Sequence, residues 1–164
     1  MKNIVLIGMP GSGKSTVGKA LAAAAGMEFL DTDDSIQAFT GEPLQVTLNR
    51  EGKEPFLVIE NQVCAGVHVE NTVIATGGSV VYGKEAMENL RNNGVFVYLQ
   101  YDFPTLDKRL TNLDTRGVAF GPGETIYDLF LERVPIYEQV TDVTISCEGK
   151  TLEEIVREIL AAVK

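Results

Sequence analysis

Eight residues near the amino terminus, Gly8-Met9-Pro10-Gly11-Ser12-Gly13-Lys14-Ser15, satisfy G-x-x-x-x-G-K-[ST] at every fixed position. Glycines let successive backbone N–H groups curl around phosphate oxygens, and a helix starting at this point turns its positive end and unpaired donors toward the same anion. Lys14 adds a mobile cation, and the Ser15 hydroxyl is sized to reach a magnesium ion bridging the terminal phosphates. Gly11, Ser12, Gly13, Lys14, Ser15 and Thr16 are therefore read as a nucleoside triphosphate cradle.

Three further groups carry chemistry. Asp31-Thr32-Asp33-Asp34 follows a short apolar run, Phe29–Leu30. Carboxylates at the carboxyl end of a parallel strand face the crevice where ligands bind. Asp31 is read as assisting the metal and Asp33 as orienting or deprotonating a substrate hydroxyl, with Asp34 left as a helix cap. Thr76-Gly77-Gly78-Ser79 ends another strand, where consecutive glycines admit a ligand to the backbone or simply make a turn. Arg109, Arg116 and Arg133 are the cations available to close over a transferring phosphoryl group or to hold an anionic substrate.

Short apolar runs at Ile4–Ile7, Thr72–Ala75, Val95–Leu99 and Val143–Ser146, with the weaker Phe29–Leu30, read as buried parallel strands. Helical segments alternate with them: Thr16–Ala25 stopping at Gly26, Lys84–Asn92, Pro104–Leu110, and a last helix opened by a Thr151/Glu154 capping box. This alternation predicts a three-layer α/β fold with a five-stranded parallel sheet. Pro135 beside Arg133 reads as the start of a new helix. The stretches Thr40–Pro55 and Leu113–Gly123 read as mobile flaps.

At 164 residues and 45% apolar content, the chain is read as one domain, 1–164. A net charge of −9 speaks against nucleic acid or an anionic membrane as partner. Cys64 and Cys147 stand apart, which suits two buried reduced thiols in a cytoplasmic protein rather than a zinc site or disulfide. The opening apolar run is too short for a leader or a membrane span. His68, between two valines, is read as structural, and the protein as a monomer.

The P-loop, Asp-Thr-Asp, double glycine and Arg-x-Pro-x-Tyr segment, in this order over essentially the whole length, resemble the shikimate kinase family. The resemblance implies a P-loop kinase fold with a mobile lid at about 113–123, an acceptor-binding region at about 32–60, and ATP-dependent, magnesium-dependent phosphorylation of a ring hydroxyl in aromatic amino acid biosynthesis. It gives Lys14 and Ser15 to ATP and Mg2+, Asp31 to the metal, Asp33 to the acceptor hydroxyl and Arg109 to the adenine. Arg116 becomes the lid arginine, and Arg133 binds the acceptor carboxylate.

Two departures fall in the acceptor pocket. In Phe56-Leu57-Val58-Ile59-Glu60, leucine stands where the family pattern is Phe-Arg-x-x-Glu, which removes a charge-assisted contact worth about 1.5–3 kcal/mol to a carboxylate. Ser79 stands where the family has a third glycine. Outside the pocket, Arg116-Gly117-Val118 differs from the usual Arg-Pro start of the lid. Arg50 and Lys53 are the nearby cations that could compensate. Shikimate is the first acceptor implied and a gluconate-like polyol acid the second. A nucleoside monophosphate would call for more arginines. The reading from another class is a nucleotide-binding module without transferase activity.

Overall fold

The computed structural model of the protein describes residues 2–110, 118 and 123–163. Five strands, β1 (Asn3–Ile7), β2 (Glu28–Asp31), β3 (Thr72–Ala75), β4 (Gly94–Gln100) and β5 (Val143–Ser146), form one parallel sheet in the order β2-β3-β1-β4-β5. Eight helices accompany them among the described residues: α1 (Lys14–Ala25), α2 (Thr32–Thr40), α3 (Leu44–Glu51), α4 (Lys53–Ala65), α5 (Lys84–Asn92), α6 (Phe103–Arg109), α7 (Ile126–Val140) and α8 (Leu152–Ala162). All five strand expectations and the α1, α5, α6 and α8 expectations agree with these elements to within two residues at either end.

Parallel crossovers are right-handed, so the direction of each step in strand order fixes the face its helix covers. The step from β1 to β2 runs one way and the later steps run the other. α1 therefore lies on one face, where it packs on β2, β3 and α8, while α4 and α5 pack together and α7 meets β4. β1 sends its chain to one face and its neighbours β3 and β4 send theirs to the other, which opens a crevice at the carboxyl end of β1. β1 and β3 are buried along their whole length, so the floor of that crevice is rigid.

Three local expectations are corrected. The segment from Thr40 to Pro55 is not a flap: it holds α3 and the first turn of α4, because Leu44, Leu48 and Phe56 bury against Ile36 in a small core separate from the main one. Periodic leucines outweighed the glycine and proline signals there. The cap of α2 is Asp31, whose Oδ1 accepts from the Asp33 N–H at 2.9 Å, so Asp34 is a first-turn residue instead. Pro135 lies inside α7, which begins at a Thr125/Asp128 capping box ten residues earlier. The expected lid, apart from Val118 and Gly123, lies outside the described residues. Cys64 and Cys147 are buried free thiols. Among the described residues, no helix is long and apolar enough to cross a membrane.

Candidate active site

The turn between β1 and α1 builds the first wall. Gly11 and Gly13 both have φ of +83°, a conformation strained for any residue with a side chain, and Gly13 caps α1. The first turn of α1 carries no acidic residue, so its positive end is left for an anion. Lys14 is buried, and its Nζ donates to the Gly8 carbonyl at 2.7 Å and the Met9 carbonyl at 2.9 Å, which curls the loop around the ammonium group. Burial, opposed by the charge of Asp33, lowers its pKa to about 8.

Ser15 faces the end of β2. Its Oγ donates to Asp31 Oδ2 at 2.5 Å while Asp31 Oδ1 caps α2, so one carboxylate ties the P-loop helix to the acidic segment. These two hard oxygen donors, side by side at the phosphate cradle, suit a magnesium ion, which takes one or two protein oxygens and fills its shell with phosphate and water. Two residues on, Asp33 turns into the crevice. Burial and the neighbouring Asp31 charge push its pKa up to about 6.

The opposite wall comes from the β3 turn. Thr76 Oγ1 donates to the Leu6 carbonyl at 2.8 Å, and the Tyr137 hydroxyl donates to the Gly78 carbonyl at 2.5 Å, so β1 and α7 both hold this turn. A Cβ on Gly78 would stand 2.9 Å from Pro10 Cδ and 3.1 Å from Arg133 Nη1; only glycine allows this approach of backbone to P-loop and arginine. Arg133, 1% exposed, projects from α7 under the pocket with its guanidinium 5.5 Å from the Tyr82 ring.

Between the walls lies a cavity of about 320 Å³ lined by Gly11, Gly13, Lys14, Ser15 and Thr16 on one side, Gly77, Gly78 and Ser79 on the other, and Asp33, Glu60 and Arg133 at the end. Asp31 stands behind Ser15 instead of lining the cavity. Ser12 is buried beneath the loop. Arg109 lies outside the cavity, against the P-loop: Nη1 donates to the Gly11 carbonyl at 3.3 Å, and the guanidinium stacks 4.3 Å from the Tyr101 ring. Arg116 lies outside the described residues.

Sequence reasoning assigned no role to Glu60, Phe56, Val118 or Tyr137. Glu60 is 2% exposed, and burial pushes its pKa up to about 7 although Ser79 hydrogen-bonds to it. A signal was present: Phe56, Glu60 and Cys64 share one buried face of α4, and a carboxylate in that stripe needs a reason. Leu57 points elsewhere, packing beside the small core and lining a separate recess with Tyr82 and Glu132. Neither expected compensating cation lines the cavity, since Arg50 pairs with Glu42 and Glu51, and Lys53 with Glu124 at 2.8 Å.

A P-loop at the switch point of a five-stranded parallel sheet, with paired acidic side chains at the next strand end, defines a P-loop kinase fold. The family model for shikimate kinase matches residues 10–164. A shikimate kinase of Sulfurihydrogenibium sp. is 37% identical, with 100% of this chain and 99% of that one covered. The solved shikimate kinase of Acinetobacter baumannii in complex with shikimate has a TM-score of 0.88 at 30% identity, covering 99% of this chain and 93% of that one. That of Aquifex aeolicus reaches 0.81 at 32% identity, covering 98% and 95%. The chain belongs to the shikimate kinase family, and with it to the ATP- and Mg2+-dependent phosphotransferases that act on a hydroxyl group.

Proposed function

We propose that this protein transfers the γ-phosphoryl group of ATP to a hydroxyl of shikimate, with the 320 Å³ cavity as the meeting place of the two substrates. The observation that carries this reading is the convergence, in one cavity, of the Lys14 phosphate cradle, the Asp33 carboxylate and the buried Arg133 guanidinium. Transfer forms a bond from the acceptor oxygen to phosphorus, breaks the bond to the ADP oxygen, and releases the hydroxyl proton. Asp33, ionised above about pH 6, accepts that proton or aligns the hydroxyl for in-line attack. Lys14 and the α1 amino terminus hold the phosphate charge as it spreads over the transferring group.

Ser15 and Asp31 would hold Mg2+, which when bound neutralises charge on the terminal phosphate oxygens. Arg109, stacked on Tyr101 beside the P-loop, is assigned to the nucleotide's outer flank, and Arg116 keeps the phosphate role that the resemblance gives it. Arg133 binds the acceptor carboxylate without a second arginine, because Leu57 supplies no charge and faces another recess. Gly77, Gly78 and Ser79 line the acceptor's side.

The test is ADP release from magnesium-ATP by the purified protein, with shikimate against a panel of sugar acids, polyols and nucleoside monophosphates. Shikimate-dependent release supports the reading. Release that depends only on another acceptor, or on none, overturns it.

A further inference from the structure

Arg109 is an exposed residue, and an exposed arginine ordinarily leaves its guanidinium to water. Here the group is held from two sides. Nη1 donates to the Gly11 carbonyl at 3.3 Å, and Nη2 donates to the Tyr101 hydroxyl at 3.0 Å while the guanidinium carbon lies 4.3 Å from the Tyr101 ring centroid. One tyrosine thus supplies both a hydrogen bond and an aromatic face to the same cation. Tyr101 is 6% exposed and belongs to the main core, so its ring is a fixed platform. Packing asks only for an apolar side chain at this place; the hydroxyl is what reaches Arg109.

Other residues place the backbone that carries Arg109. Glu148, in the loop after β5, accepts from the Asp102 N–H at 2.9 Å and from Thr105 Oγ1 at 3.0 Å, which fixes the start of α6. Just past its end, buried Leu110 packs on the P-loop: a Cβ built on Gly11 would stand 2.8 Å from Leu110 Cδ2. These contacts set the Arg109 backbone but leave its long side chain several free rotors, and Tyr101 restrains them.

A nucleoside triphosphate with its phosphates in the cradle runs its nucleoside outward past the edge of the loop. Arg109 stands at that edge, with Nη1 3.7 Å from where a Cβ on Gly13 would lie. A guanidinium is planar and stacks on other flat π systems, so a held one offers a base a ready surface. Ordering it in advance spares binding the rotamer entropy otherwise lost on contact. We propose that Tyr101 is a positioning residue of the nucleotide side, which holds the Arg109 guanidinium beside the P-loop to receive the nucleoside end of the triphosphate. The proposal rests on the phosphotransfer reading above, through the nucleotide role of Arg109, and adds Tyr101 to that site.

The experiment is calorimetric titration with magnesium-ATP and with magnesium-tripolyphosphate, which has the phosphates without the nucleoside. Wild type is compared with Tyr101→Leu and Tyr101→Phe, each alone and combined with Arg109→Ala, and thermal melting checks the fold of each variant. Tyr101→Leu should weaken ATP binding about five- to tenfold and Tyr101→Phe, which keeps the stack and loses the hydrogen bond, about threefold. Neither should change tripolyphosphate binding by more than about twofold, because Lys14 and the P-loop hold the phosphates. In the Arg109→Ala background both substitutions should change ATP binding by less than about twofold, since the group they act through is gone. If Tyr101→Leu does not fold, Tyr101→Phe carries the same comparison through the hydroxyl. Equal losses on ATP and tripolyphosphate would mean that Tyr101 serves only the fold around the P-loop, and a full loss without Arg109 would mean that it acts by another route; either result overturns the proposal, as does unchanged ATP affinity in both variants. A wild type that does not bind magnesium-ATP overturns the phosphotransfer reading as well.

Discussion

Replacing Gly77 by alanine isolates the acceptor side of the cavity. Gly77 does not have a positive φ, so alanine there brings no backbone strain, and its only close encounters are with Glu60 and Asp33. The new Cβ would meet Glu60 Oε2 at 2.7 Å, and reaching the ordinary contact of 3.4 Å takes a retreat of about 0.7 Å. The retreat disturbs the carboxylate that accepts from Ser79 Oγ at 2.6 Å, and the same Cβ crowds Asp33, whose Oδ1 would stand only 3.2 Å away. Asp33 makes the charge-assisted hydrogen bond to the acceptor hydroxyl in the proposed transfer, a contact worth about 1.5–3 kcal/mol, so displacing it should lower acceptor kcat/KM about ten- to a hundredfold. Steady-state kinetics with each substrate varied in turn separates the two sides of the site. The loss should appear in the acceptor KM while the ATP KM stays within about twofold, because no P-loop atom meets the added methyl. An acceptor KM within threefold of wild type, or an ATP KM rising in parallel, would refute the geometry.

Lys14→Ala should reduce kcat by at least about a hundredfold while far-ultraviolet circular dichroism stays unchanged, since in the proposed transfer the lost charge serves the phosphates; comparable turnover would remove Lys14 from the site. Leu57→Arg places a cation one turn before Glu60 and should lower the KM for a carboxylate acceptor by about ten- to a hundredfold, and an unchanged KM would mean that the new side chain stays in the recess beside Tyr82. Stability of the unliganded protein should depend on pH through the same groups. Glu60, raised to about 7, and Asp33, raised to about 6, keep protons in the folded state that the unfolded chain has released, so stability falls as pH rises from about 4 to 7. Lys14, lowered to about 8, is neutral in the folded state where the unfolded chain still holds its proton, so above pH 8 its contribution rises with pH. Thermal melts at constant ionic strength check this, and Glu60→Gln should flatten the fall between pH 5 and 7; an unaltered slope would contradict it.

The residue order by itself determined the P-loop turn and the sheet, because both rest on local rules. The P-loop needs glycine, lysine and serine at set spacings along a few residues, and buried parallel strands such as Ile4–Ile7 and Thr72–Ala75 announce themselves as short apolar runs. Capping of α8 by Thr151 and Glu154 was equally local. Tertiary structure alone decided which side chains share the cavity. Glu60 and Ser79 lie 19 residues apart, Lys14 and Asp33 on different elements, and Arg133 more than fifty residues beyond Ser79, so no spacing along the chain brings them together. Three-dimensional packing also turned Leu57 toward the recess beside Tyr82 while Glu60, three residues later, entered the cavity. It took Arg50 and Lys53 out of the site into ion pairs with Glu42 and Glu124. Whether a side chain reaches a substrate depends on which way its helix face is turned and what already pairs with it, and both follow from the assembled core.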